Sequence, residues 1–131
     1  MVVLDSTFII HFLKNKRNAI EKAKTFHEPI FTTRLNVFEI LKGIYSSEGL
    51  RVEKELAVFN SFLQGITVLE LDVRSANQAA NIFAELNKQG KTVQDGDILI
   101  AAIALANGEN AIITENVRDF SKVRGVKIEI Y

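Results

Sequence analysis

Apolar positions along the 131-residue chain alternate between short, unbroken β-branched runs and longer stretches with helical spacing. Val2-Val3-Leu4, closing the run that begins at Met1, predicts a buried strand. Ser6 to about Lys14 places Phe8, Ile9, Phe12 and Leu13 at helical spacing, behind a cap at Asp5 or Ser6. A second helix is predicted from Arg17 to Phe26. Pro29 to Thr32 predicts a strand, and Thr33 is an N-cap for a helix from Arg34 to about Ser47. Another helix covers Arg51 to Leu63. Gly65 breaks that pattern before a strand at Thr67-Val68-Leu69. Asp72 or Ser75 caps a helix running to about Lys88, which Gly90 stops. The most apolar helix spans Asp95 to Asn107, and strands follow at Ala111 to Thr114 and Val126 to Ile130. Strands separated by helices predict an α/β fold, a mainly parallel sheet covered by helices on both faces.

Composition narrows this picture. The length suits a single domain, 1–131, and 47% hydrophobic residues can fill a core. No internal repeat or linker divides it. Cysteine is absent, which removes thiolate catalysis, thiolate metal sites and disulfides. That usage and the lack of a signal-peptide pattern lead us to expect a cytoplasmic protein. The longest apolar run, Ile98 to Ala106, is too short to span a membrane. Sixteen basic residues balance sixteen acidic ones, so no global positive field advertises nucleic acid, although local patches remain open.

Four acids occupy unexpected places. Asp5 ends the first strand, where open α/β sheets hold ligands. Glu39 has Leu35 and Gly43 as i−4 and i+4 neighbours and lies on or beside a buried stripe. Gly43 on that stripe suggests close approach by another group. Asp97 opens the apolar helix with Ile100, Ala101 and Ala104 on its face. Asp119 follows the fourth strand in Thr114-Glu115-Asn116-Val117-Arg118-Asp119-Phe120. Each has an ordinary reading: Asp5 as a helix cap, Asp97 as a dipole complement, Glu39 snorkelling to water, Asp119 as a loop acid. One site explains all four together. Converging carboxylates repel unless a cation joins them, and an oxygen-only set suits Mg2+ or Mn2+ better than zinc, for which only His11 and His27 offer imidazoles.

The ordered set Val-Leu-Asp5-Ser-Thr, Glu39-x-x-x-Gly43, Asp97-x-x-Ile-Ala-Ala and Thr114-x-Asn116-x-x-Asp119-Phe120 resembles PIN-domain nucleases, and within them VapC-type toxins of toxin–antitoxin pairs. The resemblance covers essentially the whole chain. It implies a five-stranded PIN-like sheet and hydrolysis of RNA phosphodiesters dependent on Mg2+ or Mn2+. Asp5, Glu39 and Asp97 match the family's three core acids and would bind one or two ions. Asn116 matches the fourth position, where family members carry Asp or Asn, and Asp119 could contribute there. Ser6 or Thr7, and Thr114, match hydroxyls that orient the acids. The resemblance also implies a VapB-type antitoxin, whose C-terminal segment plugs the site, and a homodimer. Phe38, Leu41, Tyr45, Phe59 and Phe62 are positions for the core or for a partner groove. Arg34 and Arg118 adjoin the motif segments and are candidates for RNA phosphates, with Lys122 and Arg124 nearby. Lys14, Lys16, Arg17, Lys22 and Lys24 form either a solvated face or a phosphate track. A nuclease of RNA processing or decay and a catalytically silent PIN-like module remain alternatives. A phospho-receiver domain fits less well, because the third strand leads to Glu70 and Asp72 and no suitable Thr–Lys pair follows.

Overall fold

A computed structural model describes residues 2–27 and 29–131; Met1, which opens the first apolar run, lies outside the described residues. The elements run β1 (Val2–Leu4), α1 (Ser6–Leu13), α2 (Arg17–Ala23), β2 (Ile30–Thr33), α3 (Arg34–Tyr45), α4 (Leu50–Leu63) and β3 (Thr67–Leu69). They continue with α5 (Val73–Lys88), α6 (Asp95–Ala106), β4 (Ala111–Ile113), α7 (Val117–Phe120) and β5 (Lys127–Glu129). All strand pairs are parallel, and the sheet order is β3-β2-β1-β4-β5. The expected parallel five-stranded sheet is therefore present.

The strands read as continuous apolar runs because both sheet faces are covered. Val2 and Leu4 pack with Phe8 and Ile9 of α1, Val37, Ile40 and Ile44 of α3, and Phe59 of α4. Val3 and Ile112 point the other way, onto Ile100, Ala101, Ile103 and Ala104 of α6 and onto Phe120. Helix α5 lies outside α6, with Ala79 and Leu86 against Ile98 and Ala102. The unbroken aliphatic run from Ile98 to Ala106 explains how α6 is buried on nearly every side. Asp72 caps α5, with Ser75 returning the bond as a capping box.

The topology fixes where a ligand can sit. From β1 the chain moves out through β2 to β3, then returns to the opposite side of β1 as β4. The C-terminal ends of β1 and β4 thus flank a switch point, the usual crevice of an open α/β sheet. Asp5 follows β1 and Thr114 follows β4, and the Asp5 N–H donates to the Ile113 carbonyl at 3.0 Å.

Three details refine these expectations. A four-residue helix, α7, follows β4 and carries Arg118 and Asp119; its single turn is too short to show periodicity. A Cβ built on Gly43 would meet nothing within 4 Å, so no other group among the described residues approaches it. Phe38 and Tyr45 are 58% and 64% exposed, outside the core, whereas Phe59 is fully buried. No helix among the described residues is long and apolar enough to cross a membrane.

Candidate active site

Asp5 occupies the N-cap position of α1, yet its side chain makes no capping bond. Instead both carboxylate oxygens are held from elsewhere. The Asn36 amide donates to Oδ1 at 2.9 Å, and the Thr114 hydroxyl donates to Oδ2 at 2.6 Å. Asp5 is only 6% exposed, and a buried carboxylate needs such donors. The helix-cap explanation of Asp5 therefore fails.

Asn36 is the residue that sequence reasoning missed. It is fully buried on α3. Its Oδ1 accepts from the Thr33 hydroxyl at 2.7 Å and from the Thr33 N–H at 3.3 Å. That capping box turns its Nδ2 toward Asp5 and toward Ser6 Oγ, each at 2.9 Å. Ser6, having accepted from Asn36, donates to Glu39 Oε1 at 2.5 Å. Ser6 rather than Thr7 is thus the hydroxyl tied to the acids. The available signal was Thr33-x-x-Asn36, an N-cap pattern whose amide sits beside the buried Val37.

The other half of the network starts at Thr114, also fully buried. Its Oγ1 accepts from the Asn116 N–H at 2.9 Å. Asn116 caps α7 through its side-chain oxygen, which accepts from the Asp119 N–H at 3.4 Å. Its Nδ2 consequently faces the acids, donating to Asp97 Oδ2 at 3.0 Å and to Asp119 Oδ2 at 3.3 Å. Asn116 offers its NH2 here, not its oxygen, and Asp119 supplies the carboxylate beside it.

Asp97 registers the crowding. Burial, followed by the charges of Asp5, Asp119 and Glu39, pushes its pKa from 3.8 up to about 6, against the lowering effect of the Asn116 bond. Each of the other three acids is close enough to Asp97 to disfavour its charge. Among the described residues, however, no three His, Cys, Asp or Glu side chains are grouped tightly enough to cage an ion. These observations agree if the site suits an ion that keeps much of its water. Mg2+ binds through one or two carboxylates and retains several waters. The oxygen donors and unrelieved repulsion fit such a cation.

Around the rim, Tyr131 approaches His11 with an Oη···Nδ1 distance of 2.9 Å, and Glu115 lies 3.6 Å from the same nitrogen. Burial, then Glu115 and Asp5, push the Tyr131 hydroxyl up to about 12. Arg34 is engaged by Glu70 through two bonds of 2.9 and 2.6 Å. Arg118 is exposed on α7. In the first basic stretch, Lys22 pairs with Glu129 and Lys24 with Glu21.

Comparison with known proteins agrees with this geometry. Ribonuclease VapC2 of Haemophilus influenzae is 32% identical over 130 residues, covering 97% of this chain and 95% of the relative. The tRNA(fMet)-specific endonuclease VapC of Salmonella typhimurium is likewise 32% identical, with the same coverage. The PIN domain family matches residues 2–126. The chain is a PIN-domain protein of the VapC family. A crystal structure of DNA-bound VapBC from Salmonella typhimurium superposes on this PIN domain with a TM-score of 0.87. The identity is 29%, and the match covers 98% of this chain and 96% of that one.

Proposed function

We propose that this PIN domain is an endoribonuclease dependent on Mg2+ or Mn2+, the toxin half of a VapBC pair, acting in the cytoplasm. The observation that carries the reading is the network joining Asp5, Glu39, Asp97 and Asp119 at the switch point of the sheet. Asp5, Glu39 and Asp97 would hold the cation, in part through waters that it retains, and Asp119 would serve the fourth position beside Asn116. When bound, such an ion supplies Lewis acidity to the phosphate and acidifies a water.

The chain's own residues do the rest. Thr114 and Asn36 fix both oxygens of Asp5, Ser6 fixes Glu39, and Asn116 bridges Asp97 and Asp119 without adding charge. A carboxylate of the cluster accepts the proton of the attacking water. The phosphodiester opens with its 3′-oxygen leaving, which gives 5′-phosphate and 3′-hydroxyl ends.

The relatives' names make initiator tRNA the first substrate to test. The VapBC likeness makes a VapB-type antitoxin the expected protein partner, and a homodimer is our proposed assembly. The apolar recess between α1, α3 and α4, lined by Ile10, Leu13, Ile40, Ile44, Val58 and Phe59, supports antitoxin docking. Incubation of the purified protein with an initiator tRNA transcript tests the reading. Cleavage is expected with Mg2+ or Mn2+ and is expected to stop with EDTA. Loss of cleavage in Asp5→Asn and Asp97→Asn, with folding retained, supports it; wild-type rates in Asp97→Asn contradict it.

A further inference from the structure

Zero net charge leaves open how a polyanion is held, and the surface beside α7 answers this. An open recess of about 530 Å³ adjoins Asp119 and is lined by Lys91, Arg118 and Lys122. A second recess, about 450 Å³, shares Lys91 and Lys122 and continues to Arg124 and Glu85. Together they form one path leading away from the acids. Four cations line it, opposed by two carboxylates, Asp119 at the site end and Glu85 at the far end.

The pairing within the path is loose. Lys122 lies 3.6 Å from Asp119 and donates to the Thr92 carbonyl at 3.1 Å. Arg124 stands 3.7 Å from Glu85 with its side chain 89% exposed. Gln78, Asn81 and Gln89 add neutral donors along the second recess. The other basic candidates are worse placed. Arg34 is already bonded twice to Glu70. Lys14, Lys16 and Arg17 follow the far end of α1, about 13 Å along the helix from Asp5 at 1.5 Å per residue.

We propose that the path from Asp119 over Lys91, Arg118 and Lys122 to Arg124 is the track that holds the RNA backbone beside the scissile phosphate. This rests on the ribonuclease reading above. The track fixes the direction in which the substrate leaves the site: across α7 and the edge of α5, not across α3.

The test measures binding of a fluorescein-labelled initiator tRNA transcript to the full-length Asp97→Asn protein over a range of salt. Each phosphate contact contributes about 0.7 to 0.9 to the slope of log K against log salt, so losing one costs about fivefold near ~0.1 M salt. Adding Lys91→Gln and Arg124→Gln together should weaken binding by about 25-fold and flatten the slope by roughly 1.5. Glu85→Gln, which removes the opposing carboxylate, should tighten binding severalfold, a gain that fold damage cannot mimic. Lys16→Gln with Arg17→Gln is the control and should leave both quantities unchanged. In the active background, Lys91→Gln with Arg124→Gln should raise KM and spare kcat. Unchanged affinity and slope in that pair, or no tightening in Glu85→Gln, overturns the track. A wild-type protein that cuts no RNA with either ion overturns the ribonuclease reading instead.

Discussion

Replacing Asp97 by Asn should make the metal-free protein more stable while removing its activity. The Asp97 pKa rises from 3.8 to about 6 in the fold, and each unit corresponds to about 1.4 kcal/mol. Ionised Asp97 therefore costs the folded state up to about 3 kcal/mol, and relaxation of the neighbouring acids reduces this to ~1–3 kcal/mol. The direction with pH follows from proton linkage. The folded state holds the Asp97 proton more tightly than the unfolded chain does. The associated stability is fully present below about pH 3.8 and is lost as pH rises through about 6. Asn cannot ionise and can still accept the Asn116 bond. At pH 8 in EDTA, Asp97→Asn should melt about 4–12 °C above wild type, at roughly 4 °C per kcal/mol for a chain of this size. At pH 4 the two curves should nearly coincide. Thermal unfolding followed by circular dichroism at both pH values reads this directly. An Asn variant no more stable than wild type at pH 8, or a gain undiminished at pH 4, would refute the picture of crowded acids.

Other substitutions probe the supporting network. Asn36→Ala should cost about 2–4 kcal/mol in urea unfolding, because it strips donors from Asp5 and Ser6 and leaves buried Thr33 groups short of a partner. Thr114→Val should lower stability by about 1–3 kcal/mol and reduce RNA cleavage, whereas Thr114→Ser, which keeps the hydroxyl, should retain most of both. Gly43→Ala should stabilise the isolated protein by about 0.5–1 kcal/mol, since the new methyl meets open space within a helix; a destabilised variant would reveal a neighbour at that position.

The sheet and its long helices were legible because their signals are local. Val2-Val3-Leu4 and Ala111-Ile112-Ile113 are unbroken apolar runs, and the apolar block after Asp97 can only be a buried helix or a strand too long for this sheet. The three core acids stood out because each interrupts an apolar pattern. What escaped was set by contacts between distant segments. Asn36 looks like an ordinary capping residue until β2 lies beside β1 and brings its amide to Asp5, 31 positions away. The amide of Asn116 could face the acids with either end, and only the capping bond to the Asp119 N–H turns its nitrogen inward. Arg34 looked available because its partner Glu70 comes 36 positions later, at the end of β3. Gly43 misled in the opposite sense, since a helical glycine beside an inward acid suggested a close neighbour where the chain leaves open space.

The chemistry of the cleaved ends tests the central claim most directly. Wild-type protein and an initiator tRNA transcript should be incubated with Mg2+, with Mn2+ and with EDTA, and the products mapped for their terminal groups. Hydrolysis by water at the acidic site predicts cleavage only with a divalent ion, leaving 5′-phosphate and 3′-hydroxyl ends, and none from Asp97→Asn. Cleavage that persists in EDTA and leaves 2′,3′-cyclic phosphate ends would mean that the RNA's own 2′-hydroxyl is the nucleophile, and would contradict the assignment of Asp5, Glu39 and Asp97 to a metal-binding site.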